Sequence, residues 1–393
     1  MLKIAFDFDG VCTDLSHIRS AGVNLHEYLY SPVAISVANP RPGFLPLLSL
    51  VGLIGEIAVL SARPRDHHHE IEEWLWRNGV RHLVGEVVCC GSERKADCMA
   101  RHNFSTLIED DLVQVNAVRT RFPVVHWEEQ SWLSVATDVF GRLLAGHRAP
   151  IAVADAMVLT GAEVATEWGA SHVLFLNGED GGRLKVRVCR SEQERNRLVG
   201  FLDATARHRY PHVARLVAVN GLAVVKSFVP GRRIDEFTES ARGHYIAKTG
   251  GALASLHAIP ADSVPVDVSL SSPGEPKSLL ACAADNHNLI VTPDDEVVFI
   301  DLGACAGGSR WVDLCWAEDL LCRNEHERAV LWTSYLSASC SPSPSRTEIE
   351  SARRSYRVWL THQLLQAEET HNADSGKHAA IRRTIAGLWA RSG

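Results

Sequence analysis

Lys3-Ile-Ala-Phe-Asp7-Phe-Asp9-Gly10-Val11 reads as a short apolar strand that runs straight into two carboxylates two positions apart. In an open parallel sheet ligands gather at the carboxyl ends of strands, so both acids are expected to point into a crevice. Gly10 permits a sharp turn there. Such a pair suits a nucleophile and a general acid/base, with Asp7 attacking phosphorus while Asp9 protonates the leaving oxygen and then activates water. Solvated acids at an ordinary strand end would look the same, so the neighbouring segments decide.

Outward from this stretch, β-rich runs recur at Ile57–Leu60, Val87–Cys90, Thr106–Ile108 and Val124–Trp127. Asp66–Asn78 lies between two of them with Ile71, Trp74 and Leu75 at helical spacing, Asp66 as a candidate N-cap and Gly79 as a stop. Strands alternating with helices predict an α/β unit, a Rossmann-like, doubly wound parallel sheet. Chemistry-bearing residues sit at matching places in it. Ser61 follows the second strand in Leu60-Ser-Ala-Arg-Pro64, Lys95 lies in the helical segment Ser92–Asn103, and Glu109-Asp110-Asp111 follows the strand Thr106–Ile108. A hydroxyl and an ammonium can hold phosphate oxygens, and carboxylates can hold a hard divalent ion.

This order of Asp-x-Asp, Ser, Lys and an acidic cluster resembles the haloacid-dehalogenase-like phosphatase superfamily, over roughly residues 1–130. The resemblance implies a Mg²⁺-dependent phosphomonoesterase with Asp7 as the nucleophile that forms an aspartyl-phosphate and Asp9 as the acid/base. Ser61 and Lys95 would clamp phosphate, and Asp110, helped by Asp111 or Glu109, would anchor the metal with Asp7 and Asp9. About 30 residues separate Val11 from Arg41-Pro-Gly43, short for a cap domain, which needs on the order of 50 or more. Leu60-Ser-Ala-Arg-Pro64, followed by Trp74-Leu75 and Ile108-Glu-Asp-Asp111, looks most like the nucleotidase-type branch with small caps, and the open site would accept a nucleotide or sugar phosphate. Arg63 is open between substrate contact and ion pair. His67-His-His69 reads as solvated surface, because consecutive helical positions point in different directions.

The whole chain of 393 residues suggests two or three domains at about 150 residues each. Its 40 basic against 47 acidic residues offer no global positive field for nucleic acid or anionic lipid. No uncharged run approaches the ~18–20 residues that span a bilayer, and an acid at position 7 sits where a signal peptide needs an apolar stretch. Ten scattered cysteines without zinc or redox spacing read as reduced thiols, so a cytoplasmic location is expected. After an amphipathic helix at Ser131–Ala145, Gly146-His-Arg-Ala-Pro150 marks the expected boundary, between domains 1–148 and 149–393.

Beyond it the pattern changes. Strand candidates at His172–Leu176 and Arg183–Val188 flank Gly178–Gly182, and Val213–Val219 and Leu222–Phe228 are joined by Asn220-Gly221, a strong hairpin signal. Helices are expected at Ser191–Thr205, at Ala241–His257 and from Trp311 onward, with short strands at Leu289–Val291 and Val297–Ile300. Antiparallel strands followed by helices describe an α+β, two-lobed unit. Gly178–Gly182 fits a phosphate loop or an ordinary hairpin. Lys185 could pair nucleotide phosphates, steadied by Glu194, or snorkel at the surface. Asn288 and Asp301, on adjacent short strands, could face one Mg²⁺.

Together with Val229-Pro-Gly-Arg-Arg233, Ala252–Pro260 and Asp313, these resemble the aminoglycoside phosphotransferase branch of the protein-kinase-like fold, over about residues 155–370. The resemblance implies ATP as a second cofactor and a small-molecule substrate. One piece is missing: the family's catalytic Asp, five residues before the metal-binding Asn, falls on Ala283, and its His on Ala281. Asp285 is close by at the wrong spacing. About 25 residues separate Pro260 from Asp285, so the substrate-binding insertion is abbreviated too. Three readings follow: a phosphatase fused to a nucleotide-binding lobe, a bifunctional kinase/phosphatase, or a phosphatase with a non-catalytic binding module.

Overall fold

The computed structural model describes residues 2–15, 31–128, 131–144, 149–150, 158–166, 172–178, 182–262, 264–265, 267–271, 277–339, 342–370 and 386. Its contacts divide the chain into two units, one holding 1–166, 171–192 and 217–225, the other 193–216 and 226–393.

The first unit is built on five strands: β1 (Lys3–Asp7), β2 (Glu56–Ser61), β3 (Val84–Cys89), β4 (Thr106–Glu109) and β5 (Val124–His126). All pair in parallel in the order β3-β2-β1-β4-β5. Alternate residues of β1 face opposite cores. Ile4 and Phe6 pack with Phe44, Trp74 and Phe140 on one side, and Ala5 packs with Met99, Leu107 and Val115 on the other. Burial on both faces explains why the strands read as nearly continuous apolar runs. The covering helices are α1 (Pro32–Val37), α2 (Phe44–Val51), α3 (His68–Arg77), α4 (Lys95–His102), α5 (Leu112–Arg119) and α6 (Trp132–Leu144). Strand order reverses between β1 and β4, which opens a crevice at their carboxyl ends. Asp66 does not cap α3. A single tight turn, Arg65–His67, precedes the helix, which starts at His68 without a side-chain cap.

Six further strands form a second sheet in the order β10-β11-β9-β8-β7-β6, from β6 (Ala149–Pro150), β7 (Val158–Thr166), β8 (His172–Gly178), β9 (Arg183–Val188), β10 (Leu216–Asn220) and β11 (Ala223–Ser227). Leu174, Leu176, Leu184, Val186 and Val225 belong to the same apolar cluster as Leu47 and Phe140. The turn between β10 and β11 is tied to α2, where Asn220 Nδ2 donates to the Ser49 carbonyl at 2.6 Å and the Leu222 amide donates to Ser49 Oγ at 3.0 Å. Shared apolar burial therefore places this sheet with the first unit, a division different from the 1–148 and 149–393 expected from composition. Of the expected boundary loop, 146–148 lie outside the described residues, as do 179–181 of the glycine loop and 16–30 of the short cap segment.

The second unit is mostly helical: α7 (Glu192–Arg207), α8 (Glu239–His257), α9 (Arg310–Leu320), α10 (Glu325–Ser339) and α11 (Arg346–Thr370). β12 (Arg232–Arg233), β14 (Leu289–Val291) and β15 (Val297–Phe299) make one small antiparallel sheet, and β13 (Ser278–Leu280) with β16 (Ala306–Gly308) another. α8 and α10 cross closely at Gly250, where a Cβ would lie 2.7 Å from the Leu331 carbonyl. Among the described residues no helix is long and apolar enough to cross a membrane.

Candidate functional site

The register of the parallel sheet builds the first site. Phe6 pairs with Ile108, so the next residues, Asp7 and Glu109, stand side by side at the carboxyl ends of β1 and β4. Lys95 enters from the first turn of α4, and its Nζ lies 2.6 Å from Asp7 Oδ1 and 2.6 Å from Glu109 Oε2. All three side chains are buried. Asp110 completes the cluster. One oxygen from each of Asp7, Glu109 and Asp110 lies within 4.8 Å of the others. Gly10 makes room for this: its φ is 92°, and a Cβ there would sit 2.2 Å from Asp110 Oδ2.

The electrostatics follow from burial. Desolvation and then the Glu109 charge raise the proton affinity of Asp7 well above that of an ordinary carboxyl, against the pull of Lys95. For Lys95 burial alone would favour the neutral amine, but Asp7 and Glu109 outweigh it and hold the ammonium protonated. Three carboxylates against one ammonium leave an excess of negative charge. A hard divalent cation is the complement of that donor set, and Asp7, Glu109 and Asp110 are the residues that could hold one. These residues open on a cavity of about 450 Å³ lined also by Asp9, Gln114 and Glu128.

The remaining residues anticipated for this site are placed differently. Asp9 is gripped by Arg63, whose Nε lies 2.9 Å from Oδ2 and whose Nη2 lies 2.7 Å from Oδ1. Arg63 is only 3% exposed, so the alternatives left open for it resolve to a buried ion pair with Asp9 itself. Ser61 is fully buried and does not line the cavity; its Oγ accepts from the Arg63 amide at 3.1 Å and stands 3.5 Å from Asp9 Oδ2. Its hydroxyl shapes the Arg63 turn. Asp111 is exposed, and its Oδ1 caps α5 by accepting from the Val113 amide at 2.8 Å, which takes it out of the acidic cluster. Of the three consecutive acids, Glu109 and Asp110 are the pair turned inward. Arg41 was not anticipated at all: it bonds the carbonyls of Gly10, Trp127 and Glu128 and thereby fastens the turn after Asp9. His67 is buried rather than solvated, whereas His68 and His69 are exposed.

In the second unit the β14–β15 hairpin organises another group. Leu289 pairs with Phe299, and the Ile300 amide donates to the Asn288 carbonyl at 3.0 Å, so Asn288 and Asp301 emerge at the same end. Asp285 joins them. Its Oδ1 accepts from the amides of His287 (2.8 Å) and Asn288 (3.0 Å), and its Oδ2 accepts from Asn288 Nδ2 at 2.9 Å. Burial raises its proton affinity despite these bonds. Asp301 Oδ1 accepts from the Gly303 amide at 3.1 Å. Two cations brace the backbone on either side of it, with Lys226 Nζ on the Ile300 carbonyl at 3.2 Å and Arg197 Nη2 on the Gly303 carbonyl at 2.9 Å.

The loop before Asp285 is held from below. Fully buried Asp313 accepts from the amides of Ala281 and Cys282, both at 2.7 Å, and His257 Nε2 stands 3.3 Å from it. His257 Nδ1 lies 2.9 Å from the Tyr335 hydroxyl, an arrangement in which Nε2 donates to Asp313. Ala283, two residues before Asp285, is fully buried. Lys185 on β9 and Glu194 on α7 are both buried, the former in the first unit and the latter in the second. The snorkelling alternative for Lys185 is thereby removed.

No family model matches the sequence, and no curated protein matches it. Solved structures do. The macrolide 2′-phosphotransferase of Brachybacterium faecium is similar over 59% of this chain and 94% of its own, with 15% identity and a TM-score of 0.42. A type VIII aminoglycoside-3′-phosphotransferase covers 50% and 93% at 20% identity and a TM-score of 0.41. A choline/ethanolamine kinase family protein of Mesorhizobium loti covers 58% and 86% at 14% identity and a TM-score of 0.45. The expectation that the enzyme is a phosphomonoester hydrolase is corrected on this point: these structures are phosphotransferases and kinases.

Proposed function

We propose that the chain is an ATP-dependent phosphotransferase acting on a small hydroxylated molecule. The observation that carries the reading is the convergence of Asp285, Asn288 and Asp301 at one end of the β14–β15 hairpin. The side chains of Asn288 and Asp301 are a donor set that fits Mg²⁺, and they would hold it; bound there, the ion neutralises charge on the transferring phosphate. The turn to Gly303 orients the Asp301 carboxylate, and the Lys226 and Arg197 bonds fix the backbone that bears it. Asp285 is the candidate general base. Each carboxylate oxygen has two lone pairs, so its bonds to the turn leave capacity for a substrate proton, and burial raises its basicity.

Binding of Mg·ATP to the full chain, followed by titration calorimetry, tests this. Asp301→Ala should abolish binding, whereas Asp285→Asn should retain it and lose transfer. Wild-type protein that does not bind Mg·ATP would end the proposal.

The Asp7 cluster favours a second phosphate-handling centre, of haloacid-dehalogenase-like arrangement, in the first unit. Asp7, Glu109 and Asp110 would hold Mg²⁺, and Lys95 would receive phosphate oxygens. Mg²⁺-dependent phosphate binding that Asp7→Asn abolishes is the expected result.

A further inference from the structure

A second cavity, of about 500 Å³, adjoins the Asp7 cavity and shares Ala62, Lys95 and Gln114 with it. Its charge is opposite. The first is walled by Asp7, Asp9, Glu109 and Asp110 around a single ammonium. In the second the one carboxylate, Glu93, is already engaged by Arg101 at 2.7 Å, with Arg65 3.9 Å away. Arg94 is exposed on its wall, immediately before α4, and among the described residues its guanidinium has no ion-pair or hydrogen-bond partner. Gln114, at the junction of the cavities, likewise has no partner for its amide. α4 begins at this wall, so the positive end of the helix adds to the same field.

We infer that this cavity is a recognition subsite for a second anionic group of the ligand whose phosphate occupies the Asp7 centre, with Arg94 binding that group and Gln114 the linker between them. The inference rests on reading the Asp7 centre as a phosphate site. The ligand class is then a small bis-anion, a bisphosphate or a phosphorylated carboxylate. An unpaired guanidinium suits either, because its planar fork matches the oxygens of both. The carboxylate-rich wall of the first cavity cannot serve the second anion, since like charge repels it there.

The test is calorimetric titration of the full chain in Mg²⁺ with methylphosphonate and with alkane-α,ω-bisphosphonates of increasing length. One length should bind about tenfold or more tightly than methylphosphonate, the size of one charge-assisted contact. Arg94→Ala should remove that advantage while leaving methylphosphonate binding unchanged, and Arg94→Lys should keep part of it. If wild-type protein binds methylphosphonate but no bisphosphonate binds better, or if Arg94→Ala loses nothing, the subsite is refuted and the phosphate centre stands. If wild-type protein binds no methylphosphonate, the phosphate centre itself falls and the subsite with it.

Discussion

Arg63 holds Asp9 by a two-pronged ion pair, 2.9 Å through Nε and 2.7 Å through Nη2, at a depth where the arginine is almost fully buried. The two residues lie 54 positions apart in the chain, so the pair stitches the turn after β1 to the turn after β2. Removing one partner of a buried pair strands the other charge, which costs about 3–5 kcal/mol. Arg63→Met should lower unfolding free energy in denaturant titrations by that amount, and Arg63→Met/Asp9→Asn should recover much of it. A single substitution costing less than about 1 kcal/mol would show that the pair does not hold the turn.

Lys95 and Asp110 should separate cation from phosphate. Asp110→Asn removes a negative charge from the donor set and is expected to weaken Mn²⁺ binding, read by electron paramagnetic resonance, by roughly tenfold or more. Lys95→Met removes the positive charge, so Mn²⁺ binding should persist while Mn²⁺-dependent phosphate binding is lost. Loss of Mn²⁺ in both variants would point to collapse of the cluster instead.

The pH dependence has a definite sign. An acid whose folded pKa is raised, as burial and Glu109 raise Asp7, holds its proton more tightly folded than unfolded. Its stabilising contribution is full below the ordinary carboxyl value and is lost as pH rises through the raised one. Mg²⁺ binds the ionised form and reverses the trend. Thermal melts should therefore show a Mg²⁺-induced rise in Tm that grows from about pH 5 to about pH 8. A Mg²⁺ shift that is the same at both pH values, or absent, would contradict cation binding at Asp7.

Gly10→Ala adds one methyl where the Asp110 carboxylate stands, at a φ of 92° that side chains avoid. The variant should lose cation affinity while keeping its far-ultraviolet dichroism. Unchanged Mn²⁺ affinity would mean that Asp110 is not a ligand.

The central strands of the first sheet are legible in the sequence because they are compact apolar runs ending in a polar residue, as at Phe6-Asp7 and Ile108-Glu109. Which acid of Glu109-Asp110-Asp111 turns inward is not, since that depends on Asp111 capping α5, and an Asp before a helix looks alike in either role. The partner of Arg63 is equally hidden, because sequence spacing is silent on contacts between distant turns. The place of the second sheet is hidden for a different reason: β8 and β9 would show the same alternation whichever core they faced. The hairpin Leu289–Phe299 is legible because two short apolar runs flank the turn Thr292-Pro-Asp-Asp-Glu296, and with it the proximity of Asn288 to Asp301.

The most direct test of the phosphotransferase proposal is transfer of label from γ-labelled ATP to a panel of small hydroxylated compounds by the full chain in Mg²⁺. The account predicts a labelled product that disappears in Asp301→Ala and persists in Asp7→Asn. Label transfer that survives Asp301→Ala, or that no compound of the panel receives, would contradict it.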